Sequence, residues 1–269
     1  GRLFRNILKV KGIIVGIKLD QGTAPLEGTE TTIQGLGSIS ECCSYKNDGA
    51  DLGRWHAVLR IADQRSANLG IQENTYTLAC YASICLQNGS VPTVEPEVIP
   101  NGDHGMEHRQ YVTEKVLAVV CKALNDDPVC LEDTLPKPNL MTAGHACAKT
   151  HTPGQVAMAT DAALHRTIPA AVPGICFSSS GMSEEDATNL SAINFCPLPR
   201  PWKLSVSYGW ALASALAVWI HKAANKKKNP GGFMKWAVAN CQAARGQCVP
   251  KGSAGAASTQ SLFTASCSY

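Results

Sequence analysis

Charge is scarce in this chain. Of its 269 residues, 17% are charged, against about 25% in an average soluble domain, so much of the sequence is destined for an interior. No stretch reaches the roughly 18 consecutive apolar residues of a membrane span. No heptad run is sustained, which excludes a coiled coil. A hydrophobic content of 45% excludes a disordered chain. The formal charge of +3 is too small to indicate a nucleic-acid partner. The basic cluster Lys226-Lys227-Lys228 runs straight into Asn229-Pro230-Gly231-Gly232 and reads as a solvated turn.

Disulfide and metal frameworks are missing too. There are twelve cysteines, but no Cys-x-x-Cys and no recurring spacing, and the adjacent pair Cys42-Cys43 is of a kind that rarely bridges. The chain opens on Gly1 without a secretory leader pattern, so the expectation is reduced thiols in the cytosol. A first residue other than methionine points to a fragment. His104 and His108 lie four apart, but Gly105 stands at the position after the first histidine where a zincin helix needs its glutamate, and no metal or other cofactor is expected.

What is present is a rhythm. Short β-branched apolar runs recur at Ile13–Lys18, Trp55–Ile61, Val91–Glu95, Thr134–Lys137, Gly174–Ser179 and Leu204–Tyr208. Helical patterns fill most gaps. One spans Ser66–Gln87 and stops at Asn88-Gly89. Another carries Val112, Val116, Val119, Val120 and Ala123 on one face. A third is capped by Ser183 and opens on Glu184, Glu185 and Asp186, where the helix dipole favours acids. Alternation of this kind means βαβ units and a parallel sheet. The glycine-rich phosphate fingerprint of a dinucleotide fold does not follow the first strand, so the expected architecture is an α/β barrel of the (β/α)8 kind.

Barrel chemistry sits at the C-terminal ends of the strands. Those ends carry Lys18, Arg54, Glu95, Glu97, Lys137 and Ser179. Any one of them alone reads as a strand-end charge reaching solvent; the set together reads as a site. A lysine held among cations and partly desolvated gives up its proton more easily, and the neutral amine can attack a carbonyl to form an imine. A neighbouring glutamate can then move protons to and from the substrate. Carbon–carbon bond cleavage without a metal is the chemistry this set supports.

These residues stand in recognisable motifs: Val15-Gly16-Ile17-Lys18, Val94-Glu95-Pro96-Glu97, Leu135-Pro136-Lys137-Pro138-Asn139, Gly144-His145-Ala146-Cys147, Ser183-Glu184-Glu185 and Ser207-Tyr208-Gly209. Through them the whole chain, Gly1 to Tyr269, resembles class I fructose-1,6-bisphosphate aldolase of the animal type. The resemblance implies that Lys137 forms the imine, that Glu95 is the acid/base carboxylate with Glu97 beside it, and that Arg54 and the terminal Tyr269 belong to the catalytic set. It places Lys18, His56, Ser179, Ser180, Gly181, Gly209 and Trp210 at the substrate and its phosphates. It implies a cytosolic glycolytic enzyme, a phosphorylated sugar substrate, a homotetramer and no metal. Residues 1–269 would form one barrel domain with a flexible tail at about 250–269.

Departures from the family pattern are specific. The resemblance leaves about six βα units, with the family's first two strands outside this sequence. Arg54 stands where the family has a catalytic lysine, and arginine keeps the charge as a wider fork that does not titrate. His56 and Trp210 stand at phosphate-binding arginines, and losing a charge-assisted contact of that kind costs about 2–5 kcal/mol. Ser180 replaces a glycine of the phosphate loop. Two readings follow: a Schiff-base aldolase that cleaves fructose 1,6-bisphosphate, or a catalytically impaired aldolase-derived chain that acts as a binding or assembly partner, as of intact aldolase subunits, or has no function as a pseudogene product.

Overall fold

A computed structural model describes residues 4–207 apart from 11, 13, 27–29, 62–66, 179–192 and 194–195. In chain order its elements are α1 (Phe4–Val10), β1 (Gly16–Lys18), β2 (Thr23–Pro25), β3 (Thr31–Ile33), α2 (Cys42–Asn47), β4 (Leu52–Leu59), α3 (Ala67–Gln87), β5 (Val91–Val98), α4 (Met106–Asp126), β6 (Leu135–Pro136), α5 (Pro153–Thr167), β7 (Gly174–Ser178) and β8 (Lys203–Ser207). All six expected strands are present. The fold is α/β, with parallel strands in the order β1-β4-β5-β6 and a parallel β7-β8 pair. The Ser178 amide donates to the Pro138 carbonyl at 3.0 Å and ties β7 to the segment that follows β6. Among the described residues the strands do not close into a ring. The hairpin β2-β3 is antiparallel and was not expected from the sequence.

Strand parity decides which residues face where. On β4, Trp55, Ala57 and Leu59 enter the apolar core beneath the helices, together with Val94 and Val98 of β5. The alternate residues, Arg54, His56 and Val58 on β4 and Thr93, Glu95 and Glu97 on β5, therefore share the other face. Prolines 92 and 96 have the parity of Val94, whose carbonyl accepts from the Lys137 amide at 2.7 Å. Their missing N–H groups thus fall on the β6 side. That ladder is accordingly short, Thr93↔Leu135 and Val94↔Pro136, while the β4 side runs unbroken from Leu52↔Val91 to Leu59↔Val98.

Two helices lock this pair of strands in place. From α3, Leu78, Tyr81, Ala82 and Cys85 are fully buried at helical spacing. Tyr81 stacks on Trp55 at 5.4 Å between centroids, and its hydroxyl accepts from the Thr93 amide at 3.0 Å while donating to the Gly53 carbonyl. Gly53 makes room for this: a Cβ there would lie 3.4 Å from the Tyr81 hydroxyl and 2.7 Å from Leu19. The expected apolar face of α4 is broader than one stripe. Val116, Val120 and Leu124 join the β4-β5 core, whereas Leu117 and Cys121 join a second core with Leu164, Ile175, Phe177 and Trp202. One helix therefore serves both halves of the described structure. The α5 helix opens with a capping box between Thr152 and Gln155, with Pro153 behind the cap. Among the described residues, Cys42, Cys80, Cys85, Cys121, Cys130, Cys147, Cys176 and Cys196 form no disulfide.

Candidate active site

Six polar side chains from β4, β5 and the segment that follows β6 meet on the face of the sheet away from α3. Arg54 of β4 is in register with Thr93 and His56 with Glu95, yet each reaches two residues further along β5. Arg54 Nε donates to Glu95 Oε2, and His56 Nε2 shares a hydrogen bond with Glu97 Oε2. From the other side the register carries on past β6, so that Lys137 comes level with Glu95 and Asn139 with Glu97. Lys137 Nζ donates to Glu95 Oε1, and Asn139 Nδ2 donates to Glu97 Oε1 at 3.1 Å. Each glutamate is thus held from both flanks. The i, i+2 alternation of parallel strands stacks them in two tiers, Arg54–Glu95–Lys137 and His56–Glu97–Asn139.

The tiers are buried. Glu95 and Glu97 are 0% exposed, His56 1% and Lys137 5%, whereas a third of the Arg54 side chain reaches solvent. These are not strand-end charges spilling into water, the simplest sequence reading of each. Burial pushes the Glu95 carboxyl up, but Lys137, His56 and Arg54 together outweigh it and hold it below the usual carboxylate range. Burial pulls Lys137 down, and with Arg54 it overcomes the opposing pull of Glu95, so the ammonium gives up its proton more readily than a free lysine. Arg109 of α4 adds charge beside Glu97. Its guanidinium is fully buried and pulled down to about 10 by desolvation, and its polar contact is the Val98 carbonyl.

His56, Glu95 and Glu97 offer donor atoms within 4.8 Å of one another, a spacing that a divalent ion could span. Arg54 and Lys137 already supply the counter-charge of Glu95, and an added dication would sit against both. We read the cluster as a charge network.

A buried lysine paired to a carboxylate at the end of a parallel strand is the arrangement the sequence resemblance required. The family model for fructose-bisphosphate aldolase class-I matches residues 1–269. The chain belongs to the class I fructose-bisphosphate aldolase family. It is 72% identical over 274 positions to fructose-bisphosphate aldolase B of Oryctolagus cuniculus, covering 100% of this chain and 75% of that one. Similarity to fructose-bisphosphate aldolase B of Homo sapiens has the same identity and coverage. Among solved structures, a Plasmodium falciparum fructose-bisphosphate aldolase, in complex with TRAP and a small-molecule inhibitor, superposes with a TM-score of 0.84. The two are 42% identical, over 90% of this chain and 72% of that one.

Within this aldolase fold the expected site residues divide. Arg54, Glu95, Glu97 and Lys137 converge. Arg54 lies inside β4, two residues after its start, because the strand begins at Leu52 rather than at Trp55. Lys18 ends β1 level with Arg54, half exposed and bridged to Asp20 at 2.8 Å, so it stands on the same rim. His56, expected at a substrate phosphate, is buried against Glu97 in the upper of the two tiers. Ser179, Ser180, Gly181, Gly209, Trp210 and Tyr269 lie outside the described residues, as do the helix expected after Ser183 and the expected tail. His104 precedes α4 while His108 is inside it, so the two do not share a helix face. Asn139 and Arg109 were not singled out as site residues. The two-residue alternation 54/56, 95/97 and 137/139 was the signal that could have found Asn139.

Proposed function

We propose that this aldolase cleaves fructose 1,6-bisphosphate reversibly into dihydroxyacetone phosphate and glyceraldehyde 3-phosphate through an imine on Lys137. The observation that carries the assignment is a lysine, 5% exposed, whose ammonium is shared with a fully buried glutamate. Moving that proton to Glu95 frees the amine, which attacks the ketone carbon of the open-chain sugar. Glu95 then returns the proton to the departing hydroxyl, water leaves, and the cationic imine remains. A base takes the proton of the hydroxyl on the second carbon from the imine carbon, and the bond between the first and second carbons breaks. Its electron pair passes into the imine as an enamine, and the aldehyde departs. Reprotonation and hydrolysis release the ketose phosphate and restore Lys137. Arg54 keeps Glu95 ionised and oriented between these steps.

The experiment is reductive trapping. Incubation with dihydroxyacetone phosphate and borohydride, followed by peptide mass spectrometry, is expected to place the adduct on Lys137. An adduct on another lysine with Lys137 unmodified would count against the assignment. The family match along the whole chain favours this reading over a chain without catalysis. We extend it to a cytosolic homotetramer on the family resemblance. Light scattering is expected to return the mass of four chains, and the mass of one would remove that extension. No helix among the described residues is long and apolar enough to cross a membrane.

A further inference from the structure

The imine mechanism makes no use of the upper tier. His56 and Glu97 are both buried to within 1% of fully, and a buried carboxylate needs a partner to remain charged. Asn139 supplies one hydrogen bond at 3.1 Å, which is neutral. His56 supplies another. Imidazole exists either as the cation or as the neutral ring, which a guanidinium does not, so the charge of this tier can change where that of Arg54 cannot. The two tiers are close enough to sense each other: a ring nitrogen of His56 and one oxygen from each of Glu95 and Glu97 lie within 4.8 Å of one another.

The described ionisable groups around His56 come from four elements. They are Arg54 on its own strand, Glu95 and Glu97 on β5, Lys137 after β6, and Arg109 of α4 acting through Glu97. Resting on the assignment of Lys137 as the imine lysine, we propose that His56 is a positioning residue. Its proton, shared with Glu97, sets how tightly the Lys137–Glu95 couple below it holds the proton used in imine formation. With His56 protonated, an extra positive charge stands over the couple, and the couple gives up its proton more easily. Once His56 is neutral that push is gone. The direction agrees with the way His56 already acts on Glu95, whose carboxyl it helps to hold down. A neutral or a permanently cationic side chain at this position would fix the couple in one setting.

The test needs no substrate. Trace acetylation of the full chain with acetic anhydride, read at Lys137 by mass spectrometry across pH, reports the neutral amine. His56→Gln is expected to label about tenfold more slowly than the unmodified chain at the acid end of the profile and equally at the alkaline end. His56→Arg is expected to match on the acid side and to exceed it about tenfold on the alkaline side, a factor corresponding to one unit of proton affinity. Histidine C2 hydrogen–deuterium exchange on the unmodified chain gives the His56 midpoint independently of whether either variant folds. That midpoint is expected to coincide with a bend in the Lys137 labelling profile. Parallel profiles for all three chains, or a midpoint with no bend beside it, would overturn the proposal. If borohydride trapping shows another lysine to be the imine former, the acetylation profiles still decide whether His56 governs Lys137, so the two failures remain distinct.

Discussion

Lys137→Met is expected to lower the cleavage of fructose 1,6-bisphosphate by on the order of 10⁵-fold, the scale on which loss of a covalent nucleophile is felt. Methionine keeps the length and the apolar stem of the lysine in a position that is 5% exposed. It removes the nitrogen and nothing else of consequence to packing. Glu95 retains Arg54 as its counter-ion, so the carboxylate is not stranded and the variant is expected to fold, as circular dichroism would verify. A coupled assay with the product triose phosphates measures the loss. Turnover within tenfold of the unmodified chain would mean that the carbon–carbon bond is broken without this amine.

Glu95→Gln separates two roles that a single carboxylate holds. Without the negative charge, nothing in the lower tier offsets Arg54, and Lys137 loses the group that favours its protonation. The sign is definite: the lysine gives up its proton at lower pH, and trace acetylation of Lys137 extends further into acid. The proton shuttle, however, is gone. General acid–base catalysis is ordinarily worth 10²–10⁴-fold, and we expect turnover to fall by about 10³-fold. The signature is the opposition of the two effects, a more available amine in a slower enzyme. Acetylation moving toward alkaline pH would show that Glu95 does not hold the lysine proton, and the charge assignment of the tier would have to be abandoned.

Much of this arrangement was legible in the residues. Strand positions followed from short β-branched runs, and the helix over Ser66–Gln87 appears as Ala67–Gln87 because its apolar period and its Asn88-Gly89 stop agree. Lengths were less legible. The run at Val91 reads as ending at Glu95, yet β5 continues through Pro96 to Val98. A proline ordinarily argues against a central strand, but both prolines of β5 withhold donors on the side where pairing is already short. Only the register shows that. The hairpin β2-β3 carries too few apolar residues to announce itself, and α5 went unread although Thr152-Pro153-Gly154-Gln155 is a capping sequence.

The site was legible as a list and not as a geometry. Lys137, Glu95 and Glu97 stand in motifs, so their company was expected. That His56 turns to Glu97 depends on its side chain reaching two residues past its register partner Glu95, which no spacing within one strand encodes. Burial was equally hidden. Glu97 is 0% and Arg109 1% exposed, and no pattern of hydropathy marks a charged side chain for the interior.

Arg54, Glu95 and Lys137 come from three separate βα units, and no two of those units contain the whole lower tier. Before β4, β5 and the segment after β6 have docked, Lys137 is an ordinary solvated ammonium with the acidity of any other. Its departure from that value is therefore a property of the assembled ensemble, acquired in one step when the last of the three closes. During refolding, the reactivity of this one amine would keep time with long-range strand docking, while circular dichroism follows the helices, which can form earlier from local contacts. The nucleophile is in this sense a clock for its own scaffold, silent until the tertiary structure around it is complete.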